Sequence, residues 1–344
     1  MSAISRRRAI LGVTAAALYP WDGHAAADAP MLDAARAEGT LTWYVSQVDA
    51  EIAEGMGRAF TAAHPGVQVA VIRTTGQVAF QRLLLDIKNK VRNCDVFSTS
   101  DISHMAILKD RNELTRFVPD NAQAMAPRFQ ALSDDGWYYV TNAGRYFMIH
   151  NTRLVTTEQA PRRWADLVDP KWKNRIAVAH PAFSGGTGVW AVAMRKHFGV
   201  AWFEALAKNN PRVGRSAVDP VTLLSAGECQ VAATWGPAAY RAVDKGNPIA
   251  VDHPTDGTVA LAFPSGIPAG APHPNAARLF MNWMLSEQYS ALITADGSEP
   301  IRMGVAPRPG TPSGDAVPEI TLTLAEIRQG IPEVIELWRE TFGG

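Results

Sequence analysis

The chain has 344 residues, of which 47% are hydrophobic and 19% charged, with 33 basic and 33 acidic side chains. A balanced charge leaves no electrostatic footprint for nucleic acid or an acidic membrane surface, and a chain this long exceeds one ordinary core, so two lobes are expected. Cys94 and Cys229 are its only cysteines, too few for a disulfide framework or a thiolate metal cluster.

The N-terminus places Arg6, Arg7 and Arg8 before a short apolar run, Ala9 to Leu18, and a small-residue stretch ending at Ala27. This is the pattern of a cleaved export signal of the twin-arginine type, and the apolar run is far short of the roughly 20 residues that span a bilayer. Ala9 stands where that pattern favours Phe, which leaves the general secretory route open. Removal of residues 1–27 takes three basic residues and Asp22, leaving 30 basic against 32 acidic side chains. A soluble, periplasmic mature protein is expected.

The next segments alternate in type. A short helix in MLDAARAEG precedes a strand from Leu41 to Val45, a helix from Ala50 to Ala63, the strand VQVAVIR, the amphipathic helix VAFQRLLLDIKN and the strand CDVFSTSD. Such alternation predicts an α/β fold with a largely parallel, doubly wound sheet, whose ligands sit at the carboxyl ends of the strands. That rule places Ser46, Gln47, Thr75, Gly76, Gln77 and the run Ser98 to Ser100 on one rim. A second alternating unit follows the strand GRYFMIHN. It runs through the short strand Arg175 to Ala179, the helix TLLSAGE, the strand CQVAATW and the segment GPAAYRAVDKG. DGTVALAFPSGIPAG then returns to strand character, and residues 273–293 read as one amphipathic helix. Two facing units with polar rims predict a cleft between them. Cys94 and Cys229 fall in different units, so two separate buried thiols are expected.

The run SGGTG, Ser184 to Gly188, lies where the second unit's strand gives way to a helix. A phosphate loop of the Walker type would need Lys and then Ser or Thr after its last glycine, and Val189 follows Gly188; a nucleophile elbow wants G-x-S-x-G, and Ser184 follows Phe183. The run can serve as one jaw of the cleft, with Ser184, Gly185, Gly186 and Thr187 offering hydroxyls and helix-start amides to an anion. An ordinary helix-capping turn explains the same residues. Thr75, Gly76 and Gln77 would be the facing jaw, with Ser216 and Trp235 on the second rim. Arg145 and Asp256 each have a structural reading beside a ligand-binding one. His64, His180, His253 and His273 each precede Pro, a context that speaks for turns.

LTWYVSQ, VAFQRLLLDIKNKVRNCDVFSTSD, GRYFMIHNTRLV, WADLVDPKWKNRIAVAHP, LLSAGECQVAA and APHPNAARLFMNWMLSEQ, taken in order, resemble family-1 solute-binding proteins of bacterial ABC importers, especially the ferric-ion-binding group. The resemblance covers nearly all of residues 30–300. It implies two doubly wound α/β lobes joined by crossing hinge strands, the type II periplasmic binding protein fold, closing on a ligand. Residues 28–141 and 256–300 would form lobe 1; residues 142–255 and 301–344 would form lobe 2 with C-terminal helices. The family's iron donors would fall at Val48, at Val78 or Ala79, and at Gly236 and Pro237, and none of these is a donor. The chain is thus expected to be a monomeric binding protein, without cofactor or catalytic step, that hands a small organic anion to an ABC permease. Ferric iron with a changed donor set and ligand sensing for a membrane receptor are the alternatives. An exported enzyme is the remaining one.

Overall fold

A computed structural model describes residues 29–134, 136–311 and 317–343; the expected export segment, residues 1–27, lies outside them. Apolar strands and the helices that cover them follow one another as the alternation requires. In the first half α1 (Ala29–Glu38) leads to β1 (Thr40–Val45), α2 (Ala50–Ala63), β2 (Gln68–Arg73), α3 (Gly76–Lys88), β3 (Val96–Ser98), α4 (Ile102–Asp110), β4 (Leu114–Thr115) and α5 (Pro127–Gln130). β1 pairs in parallel with β2 on one side and β3 on the other.

The long strand β5 (Tyr139–Asn151), buried along its whole length, carries the chain into the second half. There follow β6 (Ile176–Ala179), α6 (Gly185–Phe198), α7 (Val200–Lys208), β7 (Arg212–Gly214), α8 (Asp219–Ser225), β8 (Val231–Trp235), α9 (Gly236–Asp244) and β9 (Ile249–Asp252). β10 (Thr258–Pro268) returns antiparallel to β5. α10 (Pro274–Met284) then packs on α1, followed by α11 (Glu287–Ala295) and β11 (Glu319–Ile320), while α12 (Leu324–Phe342) packs on α6. The sheet order is β2-β1-β3-β10-β5-β8-β6-β7, so the antiparallel pair β5 and β10 joins two parallel wings. Parallel pairing requires crossover helices, and these cover both faces.

Several polar residues on the buried strand β5 find partners within the protein. His150 Nδ1 lies 2.7 Å from Asp252 Oδ2, Asn151 Nδ2 donates to Leu224 O at 2.7 Å, and Arg145 Nε donates to Glu299 Oε1 at 3.1 Å. Aromatic clusters fill the interior on either side. Trp43, Phe60, Phe280 and Trp283 interlock edge to face and stacked in the first half. Tyr146, Trp164, Trp190 and Trp202 do so in the second.

Three local expectations change. The single helix over 273–293 is two, because Ser286 caps a new helix by accepting from Tyr289 N at 3.2 Å. CDVFSTSD is a strand only over Val96–Ser98. Its end is drawn out of the ladder by side-chain bonds, Thr99 Oγ1 to His104 Nδ1 at 2.8 Å and Asp101 Oδ1 accepting from Ser103 N at 2.9 Å. SGGTG is the first turn of α6 rather than a loop before it. Its glycines are there for close packing: a Cβ on Gly186 would meet Phe263 Cζ at 3.2 Å, and one on Gly188 would meet Ile331 at 3.2 Å.

Cys94 and Cys229 are both free and buried, and burial pushes the Cys94 thiol up and that of Cys229 up to about 11. Thiolate is the reactive form. The folded protein should therefore be inert to a maleimide, and the denatured, unreduced protein should take up two equivalents. Uptake of none until reductant is added would reveal a bridge and contradict this arrangement.

Candidate functional site

Four helices begin along one seam between the two halves. α2 follows β1, α3 follows β2, α6 follows β6 and α9 follows β8; the two parallel wings run in opposite directions across the antiparallel β10 and β5, and the carboxyl ends of both face the seam, where ligands of such sheets sit. Each helix start carries amides ahead of the helix's own ladder and the positive end of its dipole. The seam is therefore electropositive before any side chain is counted.

Ser46, Gln47, Val48, Asp49, Arg73, Thr75, Gly76 and Ser100 line it from the first half. Ser184, Gly186, Ser216, Ala217, Val218, Trp235 and Arg241 line it from the second, and Leu261 and Phe263 from β10. The space left between them is about 40 Å³, because the jaws touch. Gln77 N donates to Phe183 O at 3.3 Å across the seam. A Cβ on Gly76 would lie 3.3 Å from Gly185 N, and one on Gly185 would lie 2.6 Å from Ser100 O. The α3 and α6 starts thus face each other directly.

Nine of the residues marked from the sequence meet here: Ser46, Gln47, Thr75, Gly76, Ser100, Ser184, Gly186, Ser216 and Trp235. Ser46 Oγ accepts from Ser100 N at 3.1 Å. Gln47 is buried, its Nε2 donates to Thr141 Oγ1 at 3.0 Å, and its Oε1 has no donor. Thr75 is the N-cap of α3 but makes no side-chain cap bond, which leaves its hydroxyl available. Ser184 caps α6 by accepting from Thr187 N at a long 3.4 Å. Ser216 Oγ accepts from Val218 N at 3.3 Å. Trp235 ends β8 and packs at a tilt against Phe263, ring centroids 4.8 Å apart; its ring lies so close to β5 that a Cβ on Gly144 would come within 2.7 Å of Cη2.

Three candidates of the two jaws do not line the seam. Gln77 turns its side chain to Asp101 Oδ2 at 3.3 Å. Thr187 is buried, its Oγ1 3.3 Å from the Tyr146 hydroxyl. Gly185 is covered by the opposite jaw. Sequence reasoning missed Arg73, Arg241 and Asp49. Arg73 is the last residue of β2 and Ser100 lies just past β3, so the strand-end rule marks both positions. Arg241 sits beyond the first turn of α9 and no spacing announces it.

A second cavity of about 210 Å³ lies beside the seam, lined among others by Gly144, Arg145, Phe147, Gly236, Tyr240 and Glu299. Arg145 is structural, with Nη2 2.6 Å from Glu319 Oε1 as well as its bond to Glu299. Asp256 is structural too, accepting from Trp164 N at 3.1 Å. Tyr240 faces this second cavity rather than the seam, with its ring 5.5 Å from Phe147, and burial pushes its phenol up to about 12. At the positions of the expected iron donors, Val48 lines the seam, Ala79 is buried on α3, and Gly236 and Pro237 open α9. Among the described residues no group of three or more His, Cys, Asp or Glu is placed to hold a metal ion, and no helix is long and apolar enough to cross a membrane.

A profile of the bacterial extracellular solute-binding proteins matches residues 93–317. A periplasmic protein of Salmonella typhimurium named for 2-aminoethylphosphonate binding is 25% identical over 281 residues, covering 78% of this chain and 77% of its own. Among solved structures, AfuA of Actinobacillus pleuropneumoniae with bound fructose-6-phosphate superposes with a TM-score of 0.79 at 19% identity, covering 89% of this chain and 99% of that one. The periplasmic binding protein P5PA gives 0.77 at 18% identity, covering 88% and 99%. Iron-bound HitA of Pseudomonas aeruginosa gives 0.76 at 20% identity, with the same coverage. The fold is that of the type II periplasmic binding proteins.

Proposed function

The chain belongs to the bacterial extracellular solute-binding proteins, and from that premise we propose that it captures a small organic anion, a phosphonate or phosphate before a carboxylate, and delivers it to an ABC importer. One observation carries the choice of an anion: the starts of α3 and α6 meet across a seam that also holds the guanidinium groups of Arg73 and Arg241. Backbone amides, dipole ends and two fixed cations all favour negative charge at that spot. The Salmonella protein named for 2-aminoethylphosphonate binding and the phosphosugar held by AfuA lie in the same direction. Ferric iron needs several anionic oxygen donors, and Val48, Ala79, Gly236 and Pro237 supply none.

The ligand would be held by Ser46, Thr75 and Ser184 through their hydroxyls, by Gly76 and the first amides of α6 at Gly185 and Gly186, and by Gln47, Ser216 and Trp235 at its flanks. Gln77 and Thr187 would act behind this layer, the first holding the jaws together through its amide and the second fixing the α6 start. We keep the division into lobes at residues 28–141 with 256–300 and 142–255 with 301–344, the β5 and β10 pair serving as hinge. The protein would work as a periplasmic monomer with no cofactor and no reaction of its own, its only partners the ligand and the permease.

Ser184→Ala tests the site. A hydrogen bond to a charged group is worth about 1.5 to 3 kcal/mol, so calorimetry with 2-aminoethylphosphonate and with inorganic phosphate should show affinity for the bound one falling about tenfold or more. The cap bond at 3.4 Å is weak, so the ligand-free melting temperature should move little. Unchanged affinity with a clearly lowered melting temperature would reduce Ser184 to a helix cap.

A further inference from the structure

Asp49 is the one charged group in the seam that anion binding does not require. It is the N-cap of α2, yet its side chain makes no cap bond, although capping is what an Asp at that position ordinarily does. Its carboxylate instead reaches the opposite half. Oδ2 accepts from Arg241 Nη2 on α9, and Oδ1 lies 3.8 Å from Arg73 Nη2. Arg241 is held from its other side by Asp296 Oδ2 at 2.5 Å, and Arg73 Nε donates to Val48 O at 3.1 Å. Arg73 and Arg241 are the two guanidinium groups that line the seam. All three side chains are at least about seven-tenths buried, with exposures of 28% for Asp49, 25% for Arg73 and 18% for Arg241.

We propose that the Asp49 carboxylate stands in for the ligand's anionic group: without ligand it closes the seam by pairing with Arg241 across the two halves, and a ligand binds by displacing it. The inference rests on the anion reading above and adds a rule of selection to it. A monocarboxylate that displaces Asp49 exchanges one single charge of the same chemistry for another and gains little. A phosphonate or phosphate brings up to two charges and three acceptor oxygens, and so gains from both arginines and from the helix starts. Asp49 therefore sets a threshold common to every anion, which a phosphonate or phosphate clears through its extra charge and oxygens and a lone carboxylate does not.

Asp49→Asn keeps the shape and removes the charge. Two readings are taken on the intact mature protein. The first is the distance between spin labels placed on the outer faces of the two halves, without ligand. The second is the affinity for inorganic phosphate and for acetate by calorimetry. The substitution should shift the ligand-free population toward longer distances. It should tighten phosphate and acetate alike, by about tenfold, because the pair that must be displaced is the same for both. An unchanged ligand-free distance overturns the closing role whatever binds. Phosphate binding that weakens in Asp49→Asn overturns the competition, because the carboxylate would then be holding Arg73 and Arg241 in place for the anion rather than competing with it. If neither protein binds either anion, the anion reading and the displacement fail together, and the distance alone would then report a plain ion pair between the halves.

Discussion

Gly185→Val is expected to lower ligand affinity at least about a hundredfold while leaving the ligand-free melting temperature nearly unchanged. The reason is steric and lies between the halves, not within one. A Cβ at residue 185 would sit 2.6 Å from Ser100 O and 2.7 Å from Asp101 Cβ, both in the opposite jaw, and backbone at that distance has no rotamer by which to yield. The substitution should therefore prop the seam open. Each half can still fold, since Gly185 opens α6 with helical backbone and Val is no worse a helix former than Gly. An affinity loss of two decades corresponds to about 2.7 kcal/mol withheld from closure. X-ray scattering of the variant with 2-aminoethylphosphonate or phosphate should show the open radius at all concentrations. A variant that closes and binds like the parent would mean that the Ser100 contact is not what closure needs.

Asp296→Asn is expected to stabilise the folded protein at neutral pH by about 2 to 3 kcal/mol. Asp296 ends α11, and its side chain is only 8% exposed. Burial raises its carboxyl from 3.8 to about 6 against the opposing pull of Arg241 and Arg308, with Asp49 adding to the rise. Burial therefore outweighs the ion pair in setting its charge, as desolvation often does for a buried pair. Because the folded value lies above the unfolded one, the folded protein binds this proton more tightly. The contribution of Asp296 to stability is thus complete below about pH 4 and is lost as the pH rises through about 6. An asparagine never carries the charge, so the variant should exceed the parent at pH 7 and match it at pH 4. Denaturant titrations across that range decide the matter. A variant less stable than the parent at pH 7 would show that the ion pair with Arg241 outweighs burial.

The sequence by itself was enough for the alternation of strands and helices, because each strand's apolar run and each helix's period are written locally. The ends of α2, at Ala50 and Ala63, and the end of β8 at Trp235 followed from local signals alone. The rim followed too, since in a parallel sheet a strand's last residue is a position on the binding edge wherever the strand finally sits. Ser46, Gln47, Thr75, Gly76 and Ser184 needed nothing more. SGGTG was legible as a turn leading into a helix at the cleft, but neither its place inside the helix nor the purpose of its glycines was: Gly185 answers to Ser100, Gly186 to Phe263 and Gly188 to Ile331, and none of those neighbours is near in sequence. Arg241 and Asp49 are separated by 192 positions, and their meeting depends on how closely two separately folded wings approach. The same holds for Thr187 and Gln77, whose residue types suggested ligand contact and whose side chains are taken up by Tyr146 and Asp101 instead. Local sequence sets the period and the ends of an element. Which side chain is left with a free hydrogen-bonding atom is decided only when every competing partner is in place, and that is a property of the tertiary structure.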